Sequence, residues 1–275
     1  TDSNPNLPPE LLGELDIHVA PMVLEWDGVV YADGVDIQSD EFFSRLRESA
    51  TLPTTSGPTP GTFKSIFEPL ATAGRPIVGI FAGSGLSSTM MTAAEAKQML
   101  PDAEINLIDS KSSSMGIGFP ALVAARAAAE DKPLAHVVAV ARQAVELTGA
   151  FFTVEDLVYL QKGGRIGAAE RFVGSVLDLK PIMEVRDGAI VPIERVRTER
   201  RALNRLLALV EERAGNQRPL RIAVGHADTE ERAGALADAA QQRFEPDELI
   251  MRPFNPTVGT HTGPDALAIA YCAGL

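Results

Sequence analysis

The chain has one cysteine, few aromatic residues and no long uninterrupted apolar run. A single cysteine, Cys272, excludes a disulfide within the chain and fits a reducing compartment, so a cytoplasmic setting is expected. Aromatic side chains supply only 5% of residues against a hydrophobic content of 45%, so the core must be built from Ala, Val, Ile and Leu, as in layered helix-and-sheet proteins. The best apolar stretch, 119–129, is broken by Arg126 and falls short of the ~20 residues a membrane-spanning helix needs. No secretory leader pattern is visible, although the sequence opens on Thr1 and is read without its natural start. Positive charge is also scarce. The 25 Lys and Arg against 37 Asp and Glu leave a net charge of −12, which repels nucleic acid and argues against a nucleic-acid role. No HExxH, paired-cysteine or clustered-histidine pattern is present, so no metal site is expected.

What is present is an alternation of strand-like and helix-like segments. Residues 16–24 read as a strand that Pro21 confines to an edge or bulge. Phe63, Ile66, Phe67 and Leu70 lie on one helical face, and 76–81 is a short apolar run ending in Gly and Ser, as in a buried parallel strand. Strand 105–108 and helices over about 116–130 and 134–147 follow. The second half changes character: runs 180–185 and 189–196 flank Asp187-Gly188, a strong hairpin signal. Helices around 203–210 and 233–240, strands at 221–225 and 249–254, and a C-terminal helix complete the expectation. The predicted fold is α/β in two domains. Residues 1–150 form a Rossmann-like, mainly parallel layered domain, and residues 151–275 an α+β domain with a mixed or antiparallel sheet.

Four segments carry small hydroxyl and glycine residues beyond what a scaffold needs: 54–61, 83–89, 109–114 and 259–264. In open α/β sheets, ligands bind outside the carboxyl ends of the strands, where such loops converge. Helix N-termini there offer free N–H groups, so an anion is the natural guest. Ser and Thr before helices are also ordinary caps, but here the hydroxyls are stacked two and three deep. The hydroxyls of these four loops are therefore candidate anion ligands. His261, between glycines in an expected loop, is a further candidate, whereas His18, His136 and His226 read as structural. Two enzymatic alternatives stay open. Gly83-x-Gly85-x-x-Ser88 approaches a dinucleotide fingerprint without its third glycine. Ser87 with His261 permits a serine-hydrolase reading, although Thr89 stands where a nucleophile elbow has glycine. Basic residues gather at 162–165 and at Arg195, Arg197, Arg200 and Arg201. Those arginines, at a helix start, oppose the macrodipole unless an anion or acidic partner uses them.

Taken in order, these segments resemble the DegV family over nearly the whole chain. Thr1-Asp2-Ser3 resembles the end of its first strand, which implies that most of that strand precedes residue 1. Pro21–Leu24 and Tyr31-x-Asp33-Gly34-Val35 are similar to its next block. Thr55-Ser56-Gly57-Pro58-Thr59 is similar to its TSQPS loop, with Gly57 in place of Gln, and 84–89 resembles SxLSGT, with Ser88 where glycine is usual. Asp109-Ser110 with Gly116 and Gly118, Leu160-x-Lys162-Gly163-Gly164-Arg165-Ile166, Leu179–Ile182 and Gly259-Thr260-His261-Thr262-Gly263-Pro264 complete the match. Asp265 replaces the usual small residue after the last of these.

The resemblance implies a long-chain fatty acid held in a tunnel between two domains, with no cofactor. It implies a carboxylate bonded by Thr55 and Ser87 beside His261, with Ser56 and Ser88 in the same loops. Arg165, Arg197 and Thr262 would face a phosphate or partner near the tunnel mouth. It further implies a protein that is not an enzyme by itself and presents its acyl chain to an ATP-dependent fatty-acid kinase subunit for phospholipid synthesis, with transient membrane contact allowed.

Overall fold

A computed structural model describes residues 1–173 and 179–275. The chain begins with α1 (Pro9–Glu14), then a hairpin of β1 (Val23–Trp26) and β2 (Val29–Ala32). Asp27 and Gly28 turn it, both at positive φ (53° and 79°), the conformation an Asp-Gly hairpin turn requires. After α2 (Ser39–Glu48), β3 (Thr54–Ser56) pairs with the other edge of β1, giving an antiparallel sheet in the order β2-β1-β3. Helix α3 (Pro60–Thr72) buries Phe63 and Phe67, as their spacing predicts. The parallel pair of β4 (Ile77–Phe81) and β5 (Ile105–Asp109) is joined by α4 (Thr89–Gln98). Helices α5 (Met115–Ala129) and α6 (Leu134–Glu146) follow.

The remaining strands form one six-stranded sheet. It contains β6 (Thr148–Thr153), β7 (Lys180–Arg186), β8 (Ala189–Val196), β9 (Leu220–His226), β10 (Glu248–Pro253) and β11 (Leu267–Ala273), in the order β10-β9-β11-β6-β7-β8. Between its strands lie α7 (Val158–Lys162), a 3₁₀ turn (Gly167–Phe172), α8 (Glu199–Ala214), α9 (Glu230–Phe244) and α10 (Pro256–Thr262). Within this sheet, among the described residues, β9 and β10 alone pair in parallel. Alternation along each strand divides the core. Phe151, Ile182, Val224 and Ile269 pack under α8 and α9. The opposite face meets α2 and β1 through Phe152 and Met183, and α5 through Ala150 and Ala270.

The α/β class holds, with the Asp187-Gly188 hairpin where expected. Two local readings differ. Residues 16–24 are not one strand: Asp16 lies at φ 49°, Ala20 makes only an isolated bridge to Asp2, and pairing starts after Pro21, which has no N–H to give a ladder. The expected C-terminal helix is β11, an inner strand between β9 and β6. Its apolar residues are buried towards both faces, and such a run has no helical or strand period to separate the two forms. Residue 150, the expected domain division, lies within β6.

Candidate functional site

A cavity of about 620 Å³ lies between the α5-side face of the large sheet and the hydroxyl-bearing loops. Its floor is apolar: Ala150, Phe152, Val185 and Ala268 come from neighbouring strands, with Ile190 and Phe254 beside them. Its polar groups come from the loops and from α10.

His261 lies in the last turn of α10, so the residue expected in a loop belongs to a short helix. The local sequence explains this. Asn255 caps the helix by accepting from Val258 N at 3.1 Å, Pro256 occupies the first turn, and Gly263 ends it at φ 70°. His261 and Thr257, four residues apart on one face, both line the cavity. The imidazole Nε2 is 2.8 Å from Thr55 Oγ1, bonding α10 to β3. Nδ1 is buried and makes no hydrogen bond among the described residues. Burial, reinforced by the positive charge of Arg165, pushes the ring's pKa down to about 4, so it is neutral at neutral pH.

Gly163 makes this arrangement possible. A Cβ there would lie 2.2 Å from His261 Nδ1, so any side chain would displace the ring. The Gly163 carbonyl accepts from Arg165 Nη1 at 2.7 Å, and Arg165 Nε donates to Leu86 O at 3.2 Å. The turn of residues 162–165 is thereby tied both to the histidine and to the loop that carries Ser87. Among the described residues no carboxylate forms an ion pair with Arg165.

Ser87 lines the cavity, and its Oγ is 2.8 Å from Thr89 Oγ1. Ser56 and Ser88 also line it but are exposed, at its rim. Thr262 lines it too, yet its hydroxyl donates to Val258 O at 3.2 Å and Gly263 O at 3.3 Å, inside its own helix end. Arg197 is exposed between β8 and α8 and is not part of the lining. Thr55, Ser87, His261 and Arg165 are thus brought together, while Arg197 stands apart. Sequence reasoning missed the floor strands and the part played by Gly163. The floor's signal was the buried run of β6, which the expected domain division obscured.

The glycines of the 83–89 loop have a packing role. A Cβ on Gly85 would meet the Gly188 carbonyl oxygen at 2.4 Å, and one on Gly83 the Gly188 Cα at 3.0 Å, so the β7–β8 turn occupies the space beside them. Nor is a Ser87–His261 hydrogen bond present: each side chain bonds a threonine instead. Among the described residues no three His, Cys, Asp or Glu side chains form a group that could hold a metal ion. Within the same residues no helix is long and apolar enough to cross a membrane.

Comparison with known proteins gives a consistent result. The family model described as "Uncharacterised protein, DegV family" matches residues 1–274. A DegV domain-containing protein from Listeria innocua is 33% identical over 272 residues, 98% of this chain and 96% of the relative. Protein DegV from Bacillus subtilis is 31% identical over 278 residues, covering 99% and 97%. Among solved structures, a fatty-acid-binding DegV family protein from Thermus thermophilus superposes with a TM-score of 0.94 at 27% identity, covering 99% of this chain and 97% of that one. The structure of DegV from Bacillus subtilis, described as a fatty acid binding protein, gives a TM-score of 0.89 at 31% identity with the same coverage.

Proposed function

The chain belongs to the DegV family, and from that premise we propose that it holds one long-chain fatty acid and presents the carboxylate to a partner kinase. The carboxylate is held by Thr55, Ser87 and His261, with Ser56 and Ser88 at the rim. The acyl chain lies over the sheet, between the two parts of the molecule that divide near residue 150. The observation that carries this reading is the composition of the cavity: an apolar floor of Ala150, Phe152, Val185 and Ala268, with a neutral imidazole bonded to a threonine above it.

Burying about 15 methylenes at ~0.8 kcal/mol each contributes on the order of 12 kcal/mol gross. Lost freedom of the ligand offsets several kcal/mol of this. Affinity therefore comes from the chain, and the polar end supplies orientation. Hydroxyls satisfy a buried carboxylate without a full counter-charge. Arg165, which pairs with no carboxylate among the described residues, supplies positive charge at that end, and Arg197 and Thr262 face the partner or its phosphate.

In the hand-over, a carboxylate oxygen attacks the terminal phosphate of ATP on a separate fatty-acid kinase subunit. The acyl phosphate forms as the bond to ADP breaks. The chain is on this account a binding subunit without a cofactor, not an enzyme by itself. A cytoplasmic setting is supported by its single free, buried cysteine. Its lipid cargo brings it into transient contact with membranes. A stand-alone hydrolase would need Ser87 activated by His261, and the imidazole's bond to Thr55 does not favour that.

The test is extraction of the purified protein with organic solvent, followed by mass spectrometry of the lipid. The expected result is one acyl chain per protein, or stoichiometric uptake when a fatty acid is offered. An empty extract together with no uptake overturns the reading.

A further inference from the structure

Helix α10 has seven residues, too few to hold its shape unaided, yet its last turn carries His261. Much of what secures its first turn comes from a distant part of the chain. Asp33, immediately after β2, is 2% exposed, and its carboxylate faces the start of α10. One carboxylate oxygen accepts from Ser3 Oγ at 2.5 Å and from the Asn255 side-chain amide. The other accepts from Thr257 N at 3.3 Å, a free N–H of the helix's first turn. The Asn255 amide also donates to Ser3 O at 3.1 Å, while Ser3 Oγ accepts from Met22 N at 3.0 Å. Asp33 N completes the connection by donating to Met22 O at 2.9 Å.

No cation pairs with Asp33 among the described ion pairs, so the cost of burying its charge is offset by hydrogen-bond donors alone. Those donors belong to the N-terminal segment, to the Asn255 cap and to the helix itself. Any change in the first turn of so short a helix is transmitted to its last. Thr257 and His261 are one turn apart on the same face, so a rotation or slide that releases Thr257 N also moves the imidazole away from Thr55.

We infer that Asp33 is a positioning residue: by anchoring the first turn of α10 it sets where His261 stands against Thr55. This rests on the proposed fatty-acid reading for its consequence, but the link between Asp33 and His261 is a property of the chain alone.

The experiment is a double-mutant cycle, Asp33→Asn and His261→Gln singly and together, read by titration of a long-chain fatty acid. Asp33→Asn keeps the side chain's shape and replaces an acceptor by a donor. It is expected to weaken binding about fivefold, the size of a lost cap, and to have little further effect in the His261→Gln background. An equal loss in both backgrounds makes Asp33 a general stabiliser and overturns the inference. A second readout needs no ligand: the ¹⁵N resonances of the His261 ring are expected to shift in Asp33→Asn. Unchanged ring resonances overturn the inference whether or not the protein binds a fatty acid, whereas failure of the parent chain to bind one overturns only the fatty-acid reading. Ser3→Ala, which removes one donor to the same carboxylate, is expected to shift the ring in the same way, and it carries the test if Asp33→Asn does not fold.

Discussion

His261 and Asp33 are buried titratable groups whose protonation preferences run in opposite directions. Burial and Arg165 push the His261 pKa down from 6.5 to about 4. Its contribution to stability is therefore present above about pH 6.5 and is lost as pH falls through 4. Burial pushes Asp33 up from 3.8 to about 6, against the pull of its hydrogen bonds. Its contribution is present below about pH 4 and is lost as pH rises through 6. The two offset each other across the same acid range, so replacing one exposes the other. In urea unfolding at a series of pH values, the stability difference between the parent chain and His261→Gln should shift in the variant's favour on acidification from pH 7 to 4. The expected shift is on the order of 3 kcal/mol. A difference that does not change with pH contradicts the account of a ring held neutral by burial. The hydroxyls and the imidazole stood out in the sequence as candidate ligands because they exceed what capping needs. The bond from Thr55 to His261 was not, because 206 residues separate them. The role of Gly163 was equally hidden, since a glycine's close approach depends on what stands opposite it.

At the scale of elements, the six-stranded sheet sets the cavity floor through its register. Ile250, Ala223, Ala270, Ala150, Val185 and Ile190 lie side by side across the strands. Three alanines in the middle make a shallow trough, and the part from Ala150 to Ile190 opens into the cavity. Ala150→Leu adds bulk to that trough. It is expected to shift preference towards shorter acids when a homologous series is compared by competitive displacement. The same loss at every chain length would move the acyl chain off this face. The β7–β8 hairpin was legible because Asp-Gly stands between two long apolar-rich runs. The β1–β2 hairpin has the same dipeptide but only four residues on either side, too short for the alternation to register. Helix α10 carried its own start and stop signals in Asn255, Pro256 and Gly263. Strand β11 carried none, because an inner strand buried on both faces loses its period.

For the whole molecule, the site exists only where distant parts of the chain meet. Strand β3 brings Thr55, the β4–α4 loop brings Ser87, α10 brings His261, and the sheet provides the apolar surface beneath them. Composition and alternation identify the α/β class, and the hydroxyl-rich loops identify the polar end. The volume and the floor come from strand order and register, which are set by long-range pairing and not by local pattern. The central claim is that a fatty acid occupies this space with its carboxylate at Thr55, Ser87 and His261. Calorimetric titration of the lipid-free protein with a long-chain fatty acid tests it most directly, comparing the parent chain with Thr55→Val and Ser87→Ala. The account predicts one-to-one binding, weakened by about 1–3 kcal/mol in each variant as a buried carboxylate oxygen loses its donor. No binding by the parent, or unchanged affinity in both variants, would contradict it.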